Sequence, residues 1–216
     1  KKYNVACDKF LDKTPDEISY LYSYFSIAEH QSFIEEITNK IDLSIKGNGL
    51  EIGSGPGILS ISIVNIFKNI NNIILLDKVP NVYKLQEKLI NHTKLNHKID
   101  FAIGDFNNLK IPDNSLDFVL DFDSVHHSEN FDLTFKEISR VLKPGGIFLC
   151  FDRGQPNTVS KKHIEYLLDI EYNNSYKLEN NIPLNKNFTR RMNGETEPYL
   201  KDWLNTAKKH KFNSKV

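Results

Sequence analysis

Gly49-Leu-Glu-Ile-Gly-Ser-Gly-Pro-Gly57, followed at once by the apolar run Ile58-Leu-Ser-Ile-Ser-Ile-Val-Asn-Ile-Phe67, is the stretch that decides the fold. A short apolar segment enters a glycine-dense turn and a long apolar segment leaves it, the order of a strand, a tight turn and a helix. The glycines let the chain turn sharply and let a ligand approach the backbone without meeting a Cβ. The helix behind them aims free N–H groups and the positive end of its dipole into the turn, an arrangement that often holds nucleotide-like ligands. The spacing Gly53-x-Gly55-x-Gly57 differs from the dinucleotide fingerprint, which needs a small residue where Ile58 stands. Glu51 lies on the strand two residues before the first glycine. A carboxylate there suits a ligand carrying a cation or several hydroxyls, and it repels a pyrophosphate.

Outward from this turn one unit repeats. Ile73 to Leu76 reads as a strand ending in Asp77, and a helix follows from about Val82 to Lys94 with Val82, Leu85, Leu89 and Ile90 on one face. Ile99 to Ile103 is a strand ending in Gly104-Asp105-Phe106, and Leu116 to Phe122 is another, reaching Asp121 and Asp123. A helix from about Asp132 to Leu142 is stopped by Lys143-Pro144-Gly145-Gly146, and Ile147 to Phe151 forms the fifth strand, ending in Asp152. Continuous apolar runs alternating with amphipathic helices indicate a mostly parallel, Rossmann-like, doubly wound α/β sheet with helices on both faces. Glu51, Asp77, Asp105, Asp121, Asp123 and Asp152 all fall at or near C-terminal strand ends, the edge where such sheets bind ligands.

These residues resemble the class I S-adenosylmethionine-dependent methyltransferases, in particular the small-molecule branch, over roughly Leu50 to Asp152. The matching segments are Leu50 to Gly57, Leu76-Asp77, Gly104-Asp105-Phe106, Pro112 to Asp117 and Arg140 to Gly146. The resemblance implies S-adenosyl-L-methionine as cofactor. Gly53, Ser54, Gly55 and Gly57 would wrap its methionine part, with Glu51 near the ammonium and sulfonium charges. Asp77, with Lys78 beside it, would take the ribose hydroxyls, since a carboxylate accepts two such bonds well. Asp105 and Phe106 would meet the adenine, and Asp121 would complete the cofactor-binding set. Methyl transfer requires neither a metal nor a covalent enzyme intermediate, so no metal site is expected.

A chain of 216 residues with 28 basic and 28 acidic side chains fits one α/β domain and shows no general attraction to nucleic acid or membrane. Two distant cysteines indicate no disulfide framework, which points to a reducing, cytoplasmic setting. Cys150, in the fifth strand, reads as a small buried hydrophobe. There is no signal-like or membrane-length apolar run. Residues 1–46 form a helical cover, with Tyr20, Tyr22, Tyr24 and Phe25 ahead of an amphipathic helix from about Ser26 to Ile41. Residues 47–152 form the cofactor-binding core. Residues 153–216 form a polar, substrate-side segment with a helix near Ser160 to Tyr172 and a last helix from Tyr199 to His210. Phe212 to Val216 looks like the start of the family's sixth strand, so the last strands read as incomplete, and excision from a longer, fused protein is the expectation.

The acceptor is addressed by Asp121-Phe-Asp-Ser-Val-His-His127, just past the fourth strand. This is similar to the Val-x-His-His stretch of many small-molecule methyltransferases and unlike the Asn/Asp-Pro-Pro-Tyr pattern of enzymes acting on nucleobase or amide nitrogens. A histidine can take a proton from a hydroxyl as it attacks the methyl group. Either His126 or His127 is therefore the expected base, with Asp152 as its orienter. The resulting expectation is O-methylation of a small, sugar-like or natural-product acceptor. An amine acceptor and a non-catalytic methyltransferase-like module stay open beside it.

Overall fold

The structure is a computed structural model that describes residues 27–216. The aromatic cluster Tyr20 to Phe25, Cys7 and the first part of the expected helical cover lie outside the described residues. The described chain runs α1 (Ile27–Lys40), β1 (Gly47–Ile52), α2 (Ile58–Ile66), β2 (Ile70–Asp77), α3 (Pro80–Thr93), β3 (Ile99–Ile103) and β4 (Leu116–Phe122). A short 3-10 turn follows at Val125–His127, then α4 (Phe131–Val141), β5 (Leu142–Phe151), α5 (Lys161–Asp169), α6 (Asn174–Glu179) and α7 (Leu200–Lys209).

The sheet has the order β3-β2-β1-β4-β5, and all four neighbouring pairs are parallel. Among the described residues no strand follows β5. The sheet is buried on both sides, which is why its central strands lack polar alternation. One face packs under α1, α2 and α3 through residues such as Ile34, Leu59, Ile63, Leu85 and Phe118. The other packs under α4 and α7 through Leu50, Ile52, Val119, Phe135, Ile138 and Ala207. β1 and β4 are locked by a notch. A Cβ at Gly49 would fall 2.0 Å from the Phe118 ring, so only glycine admits that ring beside the strand.

Between β3 and β4 the crossover, residues 104–115, is irregular. Arg140 on α4 holds it, donating to Leu109 O (2.9 Å), Ile111 O (2.8 Å) and Asp113 Oδ1 (2.6 Å). The Arg140 to Gly146 segment therefore ties a helix end, a loop and the start of β5 together.

Three expectations are revised. Cys150 is half-buried, and its thiol donates to Asp121 Oδ2 (3.0 Å), so it serves as a polar partner as well as packing. The helix expected to reach Tyr172 stops at Asp169, because Tyr172 N donates to Phe188 O (2.9 Å) and Arg190 N to Ile170 O (3.0 Å), which draws 170–172 into extended pairing. The polar stretch that follows also contains α6, anchored by buried Lys177 paired with Glu171 and by Tyr172 stacked on Tyr176 at 3.9 Å.

Candidate functional site

The chain leaves β1 toward β2 on one side and returns to β4 on the other, so the strand order reverses between β1 and β4. Open α/β sheets bind ligands in the crevice at that point. The turn after β1 faces the turn after β4 at contact distance: a Cβ on Gly53 would lie 2.5 Å from Ser124 Cβ, and Gly53 has φ +57°. Buried Gln86 of α3 braces the turn from behind, donating to Ser54 Oγ (2.9 Å) and Gly55 O (2.6 Å). Gly53→Ala is expected to lose about 1–2 kcal/mol from the left-handed backbone alone, and more from the Ser124 clash. A melting temperature equal to that of the wild type would show that the two turns are not held this closely.

The first half of the site faces β2 and β3. Glu51 is buried and bonds the first turn of α2, accepting from Ser60 N (2.9 Å) and from the Ser60 hydroxyl, so it caps the helix at the glycine turn. Burial pushes its carboxyl up to about 7 against those bonds. Asp77, the last residue of β2, accepts from Gly55 N (2.9 Å) on one oxygen and Val79 N (2.8 Å) on the other. Burial raises its pKa despite both bonds. The Lys78 backbone N–H adds a third bond, and the carboxylate is fixed against the glycine turn. Beside it a cleft of about 330 Å³ opens between β2, β3 and α3, walled by Val79, Tyr83, Phe101 and Ile103 among others. Asp105, past β3, accepts from Asn107 N (2.8 Å) and Lys78 Nζ (3.1 Å), which together hold its carboxyl below the usual value. Half-buried Phe106 is its neighbour.

The second half is built from the ends of β4 and β5. Asp121 is fully buried inside the ladder, between Ile52 of β1 and Cys150 of β5. Its oxygens meet Ser124 Oγ (2.5 Å), Val125 N (3.1 Å) and Cys150 Sγ. Burial, together with the charge of Asp152, raises its pKa to about 8. It therefore holds the turn beneath the crevice instead of opening onto it. Asp152, just past β5, clasps the next turn, with Oδ2 accepting from His126 N (3.0 Å) and Oδ1 lying 2.6 Å from His126 Nδ1. Burial would raise the Asp152 pKa, and the His126 contacts outweigh it and lower it.

The two histidines separate. His126 is enclosed, its side chain 0% exposed, with Nε2 3.4 Å from Glu195 Oε2. Burial opposes its charge, yet the bond to Asp152 and the nearby Glu195 carboxylate push its pKa up to about 9. His127 is exposed, its ring 4.0 Å from that of His126, and its Nδ1 lies 3.0 Å from Gly194 O. A carbonyl can only accept, so Nδ1 carries the hydrogen, and in the neutral ring Nε2 carries the lone pair. The expected set of His126, His127 and Asp152 is thus brought together, but only His127 reaches solvent.

Sequence reading missed the residues that close this half. Glu195 reaches His126 and accepts from Arg153 Nη1 (2.5 Å), while Arg153 also grips Asp123 Oδ1 (2.8 Å). Burial works against the charge of Glu195, but His126 and Arg153 bring its carboxyl down to about 2. Thr196 donates to His126 O, and Tyr172 OH to Glu195 Oε1 (3.1 Å). The one sequence signal was the charged string Arg190-Arg-Met-Asn-Gly-Glu-Thr-Glu197, which has no periodicity to assign it. On the opposite side α1 lays His30 edge-on to Phe122 (5.1 Å) and Phe33 against Phe151 (5.8 Å), at the ends of β4 and β5. No described helix is long and apolar enough to cross a membrane.

Comparison with known proteins places this geometry. The family model described as a methyltransferase domain matches residues 50–150. The chain is 26% identical over 138 residues to a demethylmenaquinone methyltransferase of Staphylococcus saprophyticus, covering 64% of this chain and 58% of that protein. It is 32% identical over 127 residues to a sterol 24-C-methyltransferase of Aspergillus fumigatus, covering 58% of this chain and 32% of that one. The chain therefore spans less than two thirds of these curated relatives. In fold it is similar to the YcgJ protein of Bacillus subtilis, with TM-score 0.63 at 17% identity, covering 85% of this chain and 68% of that one.

Proposed function

The chain belongs to the class I S-adenosylmethionine-dependent methyltransferases, and from that premise we propose that it moves the cofactor's methyl group to a hydroxyl of a small-molecule acceptor at the His127 end of the crevice. The observation that carries the cofactor half is Asp77, whose carboxylate is fixed by backbone N–H groups of Gly55 and Val79 at the end of β2, where a ribose hydroxyl can donate to it. The glycine turn seats the methionine part, and Asp105 with Phe106 receives the adenine beside the β2–β3 cleft. Lys78 holds Asp105 from outside. Glu51, buried against Ser60 and Asp77 beneath the glycine turn, is matched to the positive ammonium and sulfonium.

In the transfer the sulfur–methyl bond breaks as the oxygen–methyl bond forms. S-adenosylhomocysteine leaves, and the hydroxyl proton departs toward the histidine–carboxylate cluster. The protein's contribution is to align the two partners in line and exclude water. His127 is the side chain that meets the acceptor. His126 and Asp152 stand behind it as the positioning pair, since His126 has no exposed edge. A second reading, transfer to carbon, is supported by the sterol relative, whose reaction is at C-24 by its name.

Calorimetry tests the first half: S-adenosylmethionine and S-adenosylhomocysteine should bind and NAD should not, and no binding of either sulfur compound overturns the reading. Mass spectrometry and proton NMR of the product separate an O-methyl from a C-methyl group. His127→Ala is expected to retain cofactor affinity and lose about five- to tenfold in kcat/KM, the worth of one hydrogen bond to the acceptor. Full turnover by the variant would remove His127 from the acceptor side.

A further inference from the structure

We propose that His126, His127 and Glu195 form a binding site for a divalent zinc-class metal ion at the acceptor end of the crevice. One ligand atom from each of the three lies within 4.8 Å of the other two. Among the described residues, His126 Nε2 is the one buried side-chain nitrogen or oxygen without a hydrogen-bond partner. It faces Glu195 Oε2 at 3.4 Å, a charge contact whose direction falls outside a hydrogen bond. With metal–ligand bonds of roughly 2.0–2.2 Å, a nitrogen and an oxygen 3.4 Å apart subtend an angle of roughly 110° at the ion, the tetrahedral value.

The surroundings fit as well. Ligating histidines usually give their second ring N–H to a carboxylate or a backbone carbonyl, which fixes tautomer and orientation. Here Asp152 lies 2.6 Å from His126 Nδ1 and Gly194 O 3.0 Å from His127 Nδ1. Charge also fits. Once the ion has displaced the second proton of His126, both imidazoles are neutral, and the carboxylates of Asp123, Asp152 and Glu195 face the guanidinium of Arg153, which leaves two negative charges for a dication to cancel. Arg153 shares Glu195 Oε2 and keeps it aimed at His126. His127 is the exposed, movable member that closes the remaining distance. Two imidazoles and one carboxylate leave a fourth position open, where an acceptor oxygen could bind.

This departs from the expectation that the site needs no metal, and its test does not depend on methyl transfer. Protein stripped with a chelator is titrated with Zn²⁺ by calorimetry and with Co²⁺ by visible absorption. The expected result is one ion per chain with micromolar or tighter affinity and the absorption of tetrahedral Co²⁺. Glu195→Gln and His127→Ala should each weaken binding at least tenfold, while His163→Ala on α5 leaves it unchanged. S-adenosylmethionine binding measured on the same samples reports that each variant is folded. His127 is exposed, so its variant carries the test if the buried positions destabilise the chain. The proposal is overturned if the wild type binds no stoichiometric ion, or if Glu195→Gln and His127→Ala bind as the wild type does. Neither result would touch the cofactor reading, which fails only if the sulfur compounds do not bind.

Discussion

Replacing Asp77 by Ala is expected to weaken S-adenosylmethionine binding by at least about 100-fold. Two charge-assisted hydrogen bonds to the ribose are lost, each worth about 1.5–3 kcal/mol, and 1.4 kcal/mol is tenfold. A second effect adds to this, since Gly55 N and Val79 N lose the oxygens that hold the glycine turn and the entry to α3. Asp77→Asn should recover little, because one of those N–H groups would then face an amide NH₂. Asp105→Ala should cost less: its side chain is 39% exposed and is already shared with Lys78. Calorimetry on the three variants, with melting curves as the folding control, checks the order. Equal affinity in wild type and Asp77→Ala would put the ribose elsewhere.

Glu51→Gln is expected to stabilise the ligand-free protein by up to about 3 kcal/mol above pH 8 and to leave it unchanged near pH 4. The Glu51 carboxyl is raised from 4.5 to about 7 by burial. A raised acid binds its proton more tightly in the folded state, so the protonated form favours folding below pH 4.5. That contribution fades as pH rises through about 7, where the folded protein must carry a buried charge. Each pKa unit corresponds to about 1.4 kcal/mol. Glutamine keeps an oxygen for the Ser60 bonds and removes the ionisation. Bound S-adenosylmethionine should reverse the ranking, because its cations stabilise the carboxylate and gain nothing from the amide. Denaturant unfolding at pH 4, 6 and 8, with and without cofactor, makes the comparison. A stability difference between wild type and Glu51→Gln that does not change with pH across this range would mean that burial does not shift the Glu51 carboxyl.

The crevice could be read in advance because its signals are local. Gly53, Gly55 and Gly57 all take positive φ, and the apolar run behind them is α2. Asp77 and Asp152 stand where expected, at or just beyond the last paired residues of their strands. Asp121 looks the same in sequence, yet Phe122 follows it in the ladder, so it is still inside the sheet and buried. Strand ends located to within a residue separate these cases, and apolar patterning does not give that precision. Glu195 was illegible for a different reason. It lies 69 positions beyond His126, in a polar stretch without period, and only the folded chain brings the two together. The fate of the histidine pair depended on that contact, which encloses one ring and leaves the other in solvent.

The Gly49 notch has a bearing on how the chain is made. β1 is the middle strand, and the ring that fills its notch belongs to Phe118, 69 residues later. At a synthesis rate of about 5–20 residues per second, β1 leaves the ribosome roughly 3–14 seconds before β4 can pair with it. During that interval β2 alone can cover one edge of β1, and the other edge, with the empty notch, stays open to wrong partners. The order of synthesis therefore leaves the notched edge of β1 without its partner strand until β4 has been made.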